Sequence, residues 1–173
     1  MKQYLKQEVL NSDKLNYINV IKLLILNINL RFLFLLRLQF WLKSKGLTYI
    51  ANCIKRKLVL NYGCFISSES RIGIGIKFPH PNGIVIGGNT IIGENCTIFQ
   101  QVTFGGKILG DSKKGAYPQI ASNVVIYSGA KLIGNIKIGN NVIIGANSVV
   151  NKDIPDYAVV GGVPGKIIKY ITN

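Results

Sequence analysis

From Ile120 onward every sixth residue is a branched aliphatic: Ile120, Ile126, Leu132, Ile138, Ile144 and Val150. Four residues after each stands a small or aliphatic side chain: Val124, Ala130, Ile136, Val142, Ser148 and Ile154. An earlier block, Ile86, Ile92, Ile98 and Phe104, keeps the same period. A shorter one, Ile66, Ile72 and Phe78, precedes it with a two-residue offset around His80. Glycine recurs just after the aliphatic, at Gly73, Gly87, Gly93, Gly105, Gly139 and Gly145. A helix repeats every 3.6 residues and a half-buried strand every two, so neither produces a period of six. The period predicts a mainly β protein built as a parallel β-helix, in which each hexapeptide supplies one short strand and a turn. Three of them close a triangular coil, the aliphatics point inward, and stacking stabilises what no single coil can bury alone.

Before residue 62 the pattern differs: apolar residues run at helical spacing with few glycines, predicting an N-terminal α-helical segment over 1–61. Within it, residues 20–42 are long enough to span a bilayer. However, Lys22, Asn27, Asn29, Arg31, Arg37 and Gln39 interrupt the run, and arginines near its middle make spanning costly. A buried or membrane-surface helix is expected instead. The β-helix is expected over 62–158. The period breaks between Phe104 and Ile120, and the polar stretch 107–116 reads as a loop thrown out from a corner. Beyond the last repeat, residues 159–173 are expected to cap the final coil, whose edge is otherwise an open template.

Composition adds two constraints. The formal charge is +14, and residues 1–60 carry eleven Lys/Arg against Glu8 and Asp13. A basic, apolar segment of this kind can meet an anionic membrane surface. No groove-reading or base-stacking motif accompanies it, so no nucleic-acid partner is expected. Cys53, Cys64 and Cys96 lack CxxC spacing and are odd in number, and His80 is the one histidine. A disulfide framework and a Cys/His metal site are therefore not expected. The polar N-terminus up to Tyr17, with no small-residue cleavage site, predicts a cytoplasmic protein, peripheral at the inner membrane face through its basic segment.

With the repeats in place, the chain resembles the hexapeptide acyltransferases, in their serine acetyltransferase-like branch. The resemblance rests on HPNGIVIGGNTIIGENCTI (80–98), FQQVTFGG (99–106), YSGAKLIGNIKIGNNVIIGANSVV (127–150) and the ending VVGGVPGKII (159–168). LRFLFLLRLQFWLKSKGL (30–47) is also similar to the helical lead-in of members from polysaccharide gene clusters. The resemblance implies a left-handed β-helix, acetyl-CoA as acyl donor, and a homotrimer whose sites lie between neighbouring β-helices. It implies that His80 is the catalytic base. Imidazole suits that role near neutral pH, and Pro79 and Pro81 stiffen the backbone around it. Gly105 and Gly106 would line the acetyl-CoA groove near the thioester and supply an oxyanion donor. Gly129, Ala130, Gly145 and Ala146 would flank the pantetheine arm, and Lys166 would lie near the adenine and 3′-phosphate.

The acceptor is read from departures. Serine acetyltransferases carry charged groups at positions that here hold Pro79, Phe65, Ala116, Tyr117 and Gly88. Without them a small zwitterion loses its clamp. A sugar hydroxyl needs none, and Asn82, Gln100, Gln101 and Tyr117 offer uncharged contacts. The expected acceptor is therefore a sugar unit of a cell-surface polysaccharide or its precursor. The alternatives are a serine O-acetyltransferase of cysteine biosynthesis, an N-acetyltransferase of an amino sugar, and a trimeric scaffold without chemistry.

Overall fold

The computed structural model describes residue 21 and residues 24–108 and 116–171. Most of the expected loop and the first twenty residues lie outside them. The chain divides into two compact units between Cys64 and Phe65.

The first unit holds two helices, α1 (Ile28–Ser44) and α2 (Thr48–Tyr62). Asn27 ends the preceding helical residues and starts α1: its side-chain oxygen accepts from the Asn29 and Leu30 N–H groups at 3.0 and 3.1 Å. Those are among the donors that a helix start leaves without partners. α2 stops at Gly63, which takes the left-handed conformation (φ 61°). The Cys64 N–H then reaches back to the Leu58 carbonyl at 3.3 Å, a Schellman-type closure. Phe32, Leu33, Leu36, Leu42, Ala51, Leu58 and Tyr62 form the buried face of the pair, with the Phe32 and Tyr62 rings edge-on at 5.1 Å. The two side chains that interrupt the apolar run, Arg37 and Gln39, are buried as well. Among the described residues no helix is long and apolar enough to cross a membrane.

The second unit is a left-handed parallel β-helix of short strands. Sheet I stacks β1 (Phe65–Ile66), β3 (Val85–Ile86), β6 (Thr103–Gly105), β9 (Lys131–Ile133) and β12 (Val149–Val150). Sheet II stacks β2 (Arg71–Ile72), β4 (Ile91–Ile92), β7 (Gln119–Ile120) and β10 (Lys137–Ile138). Sheet III stacks β5 (Thr97–Ile98), β8 (Val125–Ile126), β11 (Ile143–Ile144), β13 (Ala158–Gly161) and β14 (Lys166–Tyr170). All pairs are parallel except β13–β14.

The register explains the sequence irregularities. Ile126 pairs with Ile144 and Ile86 with Phe104, one regular coil apart. Ile72 pairs with Ile92, two residues further on, because the coil carrying His80 is longer. Ile98 pairs with Ile126 across the extra residues of the insertion. The six aliphatics from Ile120 to Val150 are all buried, and so are the six that follow them by four. Two inward columns per sheet therefore fill the prism. The buried hydroxyls of Thr90 and Ser148 find no hydrogen-bond partner there.

The last coil is covered at all three edges. β14 folds back against β13, the Gly165 N–H donates to the Val149 carbonyl at 2.8 Å, and Ile154 bridges Ile138. This hairpin starts at Ala158 and leaves no free parallel edge on its side of sheet III.

Candidate active site

Each coil turns three corners. The corner joining sheet III to sheet I carries His80, Pro81 and Asn82 in one coil, then Phe99, Gln100 and Gln101, then Tyr127, Ser128 and Gly129, then Gly145, Ala146 and Asn147. Backbone hydrogen bonds tie these turns one above another. The Gln101 N–H donates to the Asn82 carbonyl, Gly129 to Gln100, and Asn147 to Ser128, each at 2.9 Å. The Asn82 N–H donates to the His80 carbonyl at 2.8 Å, which fixes the tight turn of the histidine. Pro81 is buried and His80 exposed, so the backbone is held while the imidazole faces solvent.

Of the expected site residues, His80, Asn82, Gln100, Gln101, Gly129, Ala130, Gly145 and Ala146 all belong to this histidine corner or directly adjoin it. Two of them do not line its surface. Ala130 is fully buried, because its methyl stands in the inward column between Val102 and Ser148. Gly129 is buried and has φ +72°, and a Cβ there would strike the Asn147 side chain. Its glycine is required by the turn itself. Gly145 and Ala146 remain accessible.

Gly105, Gly106 and Tyr117 lie elsewhere. They sit at the corner joining sheet I to sheet II, where the insertion leaves the coil. The Tyr117 ring packs directly on Gly87, filling the place a side chain would take. From Gln101 to Gly105 the chain runs along sheet I for roughly 13 Å at strand rise. Within one chain, therefore, neither the glycine pair nor Tyr117 reaches His80. Lys166 opens β14 and is exposed.

Three residues of the histidine corner carry no sequence expectation. Phe99 and Tyr127 stack with ring centroids 5.1 Å apart and planes at 18°. Phe99 also lies 6.3 Å from the His80 ring. Both occupy the position after the buried aliphatic, where glycine recurs elsewhere, and that exception was visible in the sequence. Lys131 donates from Nζ to the Gln101 carbonyl at 2.6 Å. Gln101 itself holds a left-handed conformation (φ 59°), which is costly for a residue other than glycine or asparagine. The Gln100 Oε1 is buried without a hydrogen-bond partner. Among the described residues no three His, Cys, Asp or Glu side chains converge as metal ligands would.

Residues 117–152 match the bacterial transferase hexapeptide model, with six repeats. A serine acetyltransferase of Synechococcus elongatus is 42% identical over 132 residues, 76% of this chain and 53% of that protein. Among solved structures, a Neisseria gonorrhoeae serine acetyltransferase in complex with serine superposes with a TM-score of 0.77 at 28% identity, over 96% of this chain and 65% of that one. A serine acetyltransferase in complex with CoA gives a TM-score of 0.69 at 28% identity, over 96% and 66% of the two chains. The coil and the repeat make the chain a hexapeptide-repeat β-helix protein similar to these acyltransferases. The similar proteins are named serine acetyltransferases, and the chain spans about half the length of the curated relatives it matches.

Proposed function

We propose that this chain transfers an acetyl group from acetyl-CoA to a hydroxyl, with His80 as the base. The carrying observation is the histidine corner, where one exposed imidazole on a fixed turn shares an edge of the β-helix with accessible Gly145 and Ala146, beyond the turns of Phe99 and Tyr127. The imidazole takes the acceptor hydroxyl proton as the oxygen attacks the thioester carbonyl. The carbon–sulfur bond then breaks, and the proton passes to the departing CoA thiolate. Gly145 and Ala146 offer a wall without bulky side chains to an extended pantetheine arm.

The separation of the two corners supports a trimer. A neighbouring chain that presents its loop corner to His80 supplies what one chain lacks: Gly105 and Gly106 as amide donors near the developing oxyanion, and Tyr117. The names of the relatives support L-serine as the acceptor ahead of a sugar. A second reading, a sugar hydroxyl, is favoured by one specific observation. Glu69, Glu94, Asp153 and Asp156, the acids among the described residues of this unit, all stand at the other two corners. Among the described residues the histidine corner thus offers no carboxylate of its own chain to an ammonium group.

Thiol release from acetyl-CoA, with L-serine and a sugar panel as acceptors, tests the activity. His80→Ala should lower turnover by roughly 10²–10⁴-fold. The variant should still run on a sizing column at three times the 19.0 kDa chain mass. Unchanged turnover would reject the base assignment.

The helical unit supports a further partner, an anionic bilayer surface. Residues 24–64 carry seven Lys/Arg and no acid. Tyr49, Ile50 and Leu60 are exposed on α2 beside Arg56 and Lys57. Ile21, Leu24, Ile25, Phe34 and Leu35 line an open apolar groove of about 330 Å³ with Arg31 at its side. Cations among exposed apolar side chains suit headgroups over acyl chains. The protein should sediment with vesicles containing phosphatidylglycerol at low salt, and Arg56→Glu with Lys57→Glu should cut the bound fraction several-fold. Equal binding to neutral vesicles, or none to either, would remove this partner.

A further inference from the structure

The turn between the two helices is a fixed apex that carries apolar side chains. Lys45 ends α1, and Gly46 takes the left-handed conformation (φ 76°). The Gly46 N–H donates to the Lys43 carbonyl at 2.9 Å and the Leu47 N–H to the Leu42 carbonyl at 3.0 Å, the paired bonds of a Schellman closure. The Ser44 hydroxyl donates to the Trp41 carbonyl at 2.8 Å, and the Thr48 N–H to the Gly46 carbonyl at 2.9 Å. The turn thus ties its own backbone, and what it offers a partner is side chains.

Those side chains run against local preference. A Schellman turn ordinarily packs the residue after its glycine back onto the helix. Here Leu42 is buried, but Leu47 is 45% exposed. Leu47 also stands at the N-cap of α2, where Ser, Thr, Asp or Asn would accept an orphan N–H, and it makes no such bond. Trp41, Tyr49 and Ile50 flank it and are exposed, Tyr49 by 84%. Among the described residues no atom lies within 4 Å of the place a Cβ would take at Gly46, so the apex stands open. Lys45 is exposed between Trp41 and Leu47 in the chain, and no acid occurs from residue 24 to residue 64.

A tryptophan, a tyrosine, two aliphatics and a lysine on one fixed apex match the boundary between lipid headgroups and acyl chains. Indole and phenol rings settle at that boundary, aliphatics enter the acyl region, and a lysine reaches back to an anionic headgroup. A second copy of the same apex fits less well. Lys45 would face Lys45, with no carboxylate among residues 24–64 of either copy to offset it.

We infer that the α1–α2 turn is the part of the chain that enters the bilayer surface, with Leu47 and Ile50 among the acyl chains and Trp41 and Tyr49 at headgroup level. This rests on the anionic bilayer proposed above as a partner, and it adds the point and the depth of contact.

Trp41 is the one tryptophan of the chain, so the emission of the full chain reports on this turn. The test adds phosphatidylcholine–phosphatidylglycerol vesicles, with and without brominated acyl chains, to wild type, Leu47→Asn and Lys45→Gln, and measures the sedimented fraction in the same samples. Binding should move Trp41 emission to shorter wavelength, and brominated chains should quench it. Leu47→Asn should weaken binding about tenfold, the loss of one leucine side chain from the acyl region. Its Tm should not fall, because Asn is the better N-cap residue. Lys45→Gln should weaken binding about fivefold, the share of one cation near an anionic surface. Sedimentation with unshifted, unquenched emission, or with Leu47→Asn binding as wild type does, would overturn the inference and leave the bilayer partner standing. Emission that is already short and shielded from iodide before vesicles are added would also overturn it, and would assign the turn to a contact with a second copy. Wild type that does not sediment with these vesicles would reject the bilayer partner itself.

Discussion

In the β-helix unit the side chains at every sixth position from Ile120 to Val150 are buried, and the hairpin β13–β14 covers the exposed end of the stack. In the helical unit Ile25, Leu26, Ile28, Tyr49 and Leu60 stand more than half exposed, while Arg37 and Gln39 are buried. The Gln39 amide has neither donor nor acceptor partner. A stacked coil covers its predecessor and is covered by its successor, so burial is a property of the repeat. Two helices pressed together on one face each keep another face in solvent. Charge divides the same way, with +9 of the +14 in residues 1–60. The first unit carries surface chemistry, and the second carries the rigid turns on which reactive groups can be held.

That contrast is broken most directly by truncating one apolar side chain in each unit. Ile126 is fully buried and touches the columns above and below, so Ile126→Ala should cost about 2–5 kcal/mol, the loss of buried methyl groups plus the cavity they leave. Leu60 is 70% exposed on α2, so Leu60→Ser should stay within about 0.5 kcal/mol. Denaturant midpoints measured on both variants check this. Comparable losses would mean that the outer face of α2 is covered in the assembled protein, and the charge argument for a lipid surface would then lose its apolar half.

The period of six made the β-helix legible, because a stacked coil repeats its environment at fixed intervals. The two-residue offset at His80 and the break after Phe104 likewise marked the coils where the register lengthens. Less legible was which corner each glycine belongs to. Gly105 and Gly129 both follow or adjoin buried aliphatics, yet one lies at the loop corner and the other is a buried left-handed turn. Ala130 looks like a small groove residue in the sequence and is core in the structure, since at its position any small side chain fills the inward column. The Phe99–Tyr127 stack needed the three-dimensional register. The two residues are brought together by a pairing that skips the insertion, so their spacing in sequence is irregular. In the helical unit, one apolar run resolved into a helix beginning at Asn27 because the capping side chain outweighs hydrophobic continuity.

The cysteines offer a smaller and more local version of the same comparison. Cys53 is exposed on α2, whereas Cys96 is fully buried in the β-helix with its thiol 3.2 Å from the Ala121 carbonyl. Burial raises the Cys96 pKa, and hydrogen bonds from the backbone of Val124 and Asn123 offset only part of that rise. The buried thiol therefore stays protonated where an unfolded one begins to ionise. Its stabilising contribution is complete below the ordinary thiol value and is lost as pH climbs through the raised one. Iodoacetamide at mildly alkaline pH should modify Cys53 rapidly and Cys96 only as fast as the β-helix opens. The melting temperature should fall as pH rises past the thiol range, and Cys96→Val should shed part of that slope. Equal labelling rates at the two cysteines would show that this coil opens as readily as the surface of α2, and the rigidity assigned to the histidine corner, one turn away at Phe99, would have to be given up.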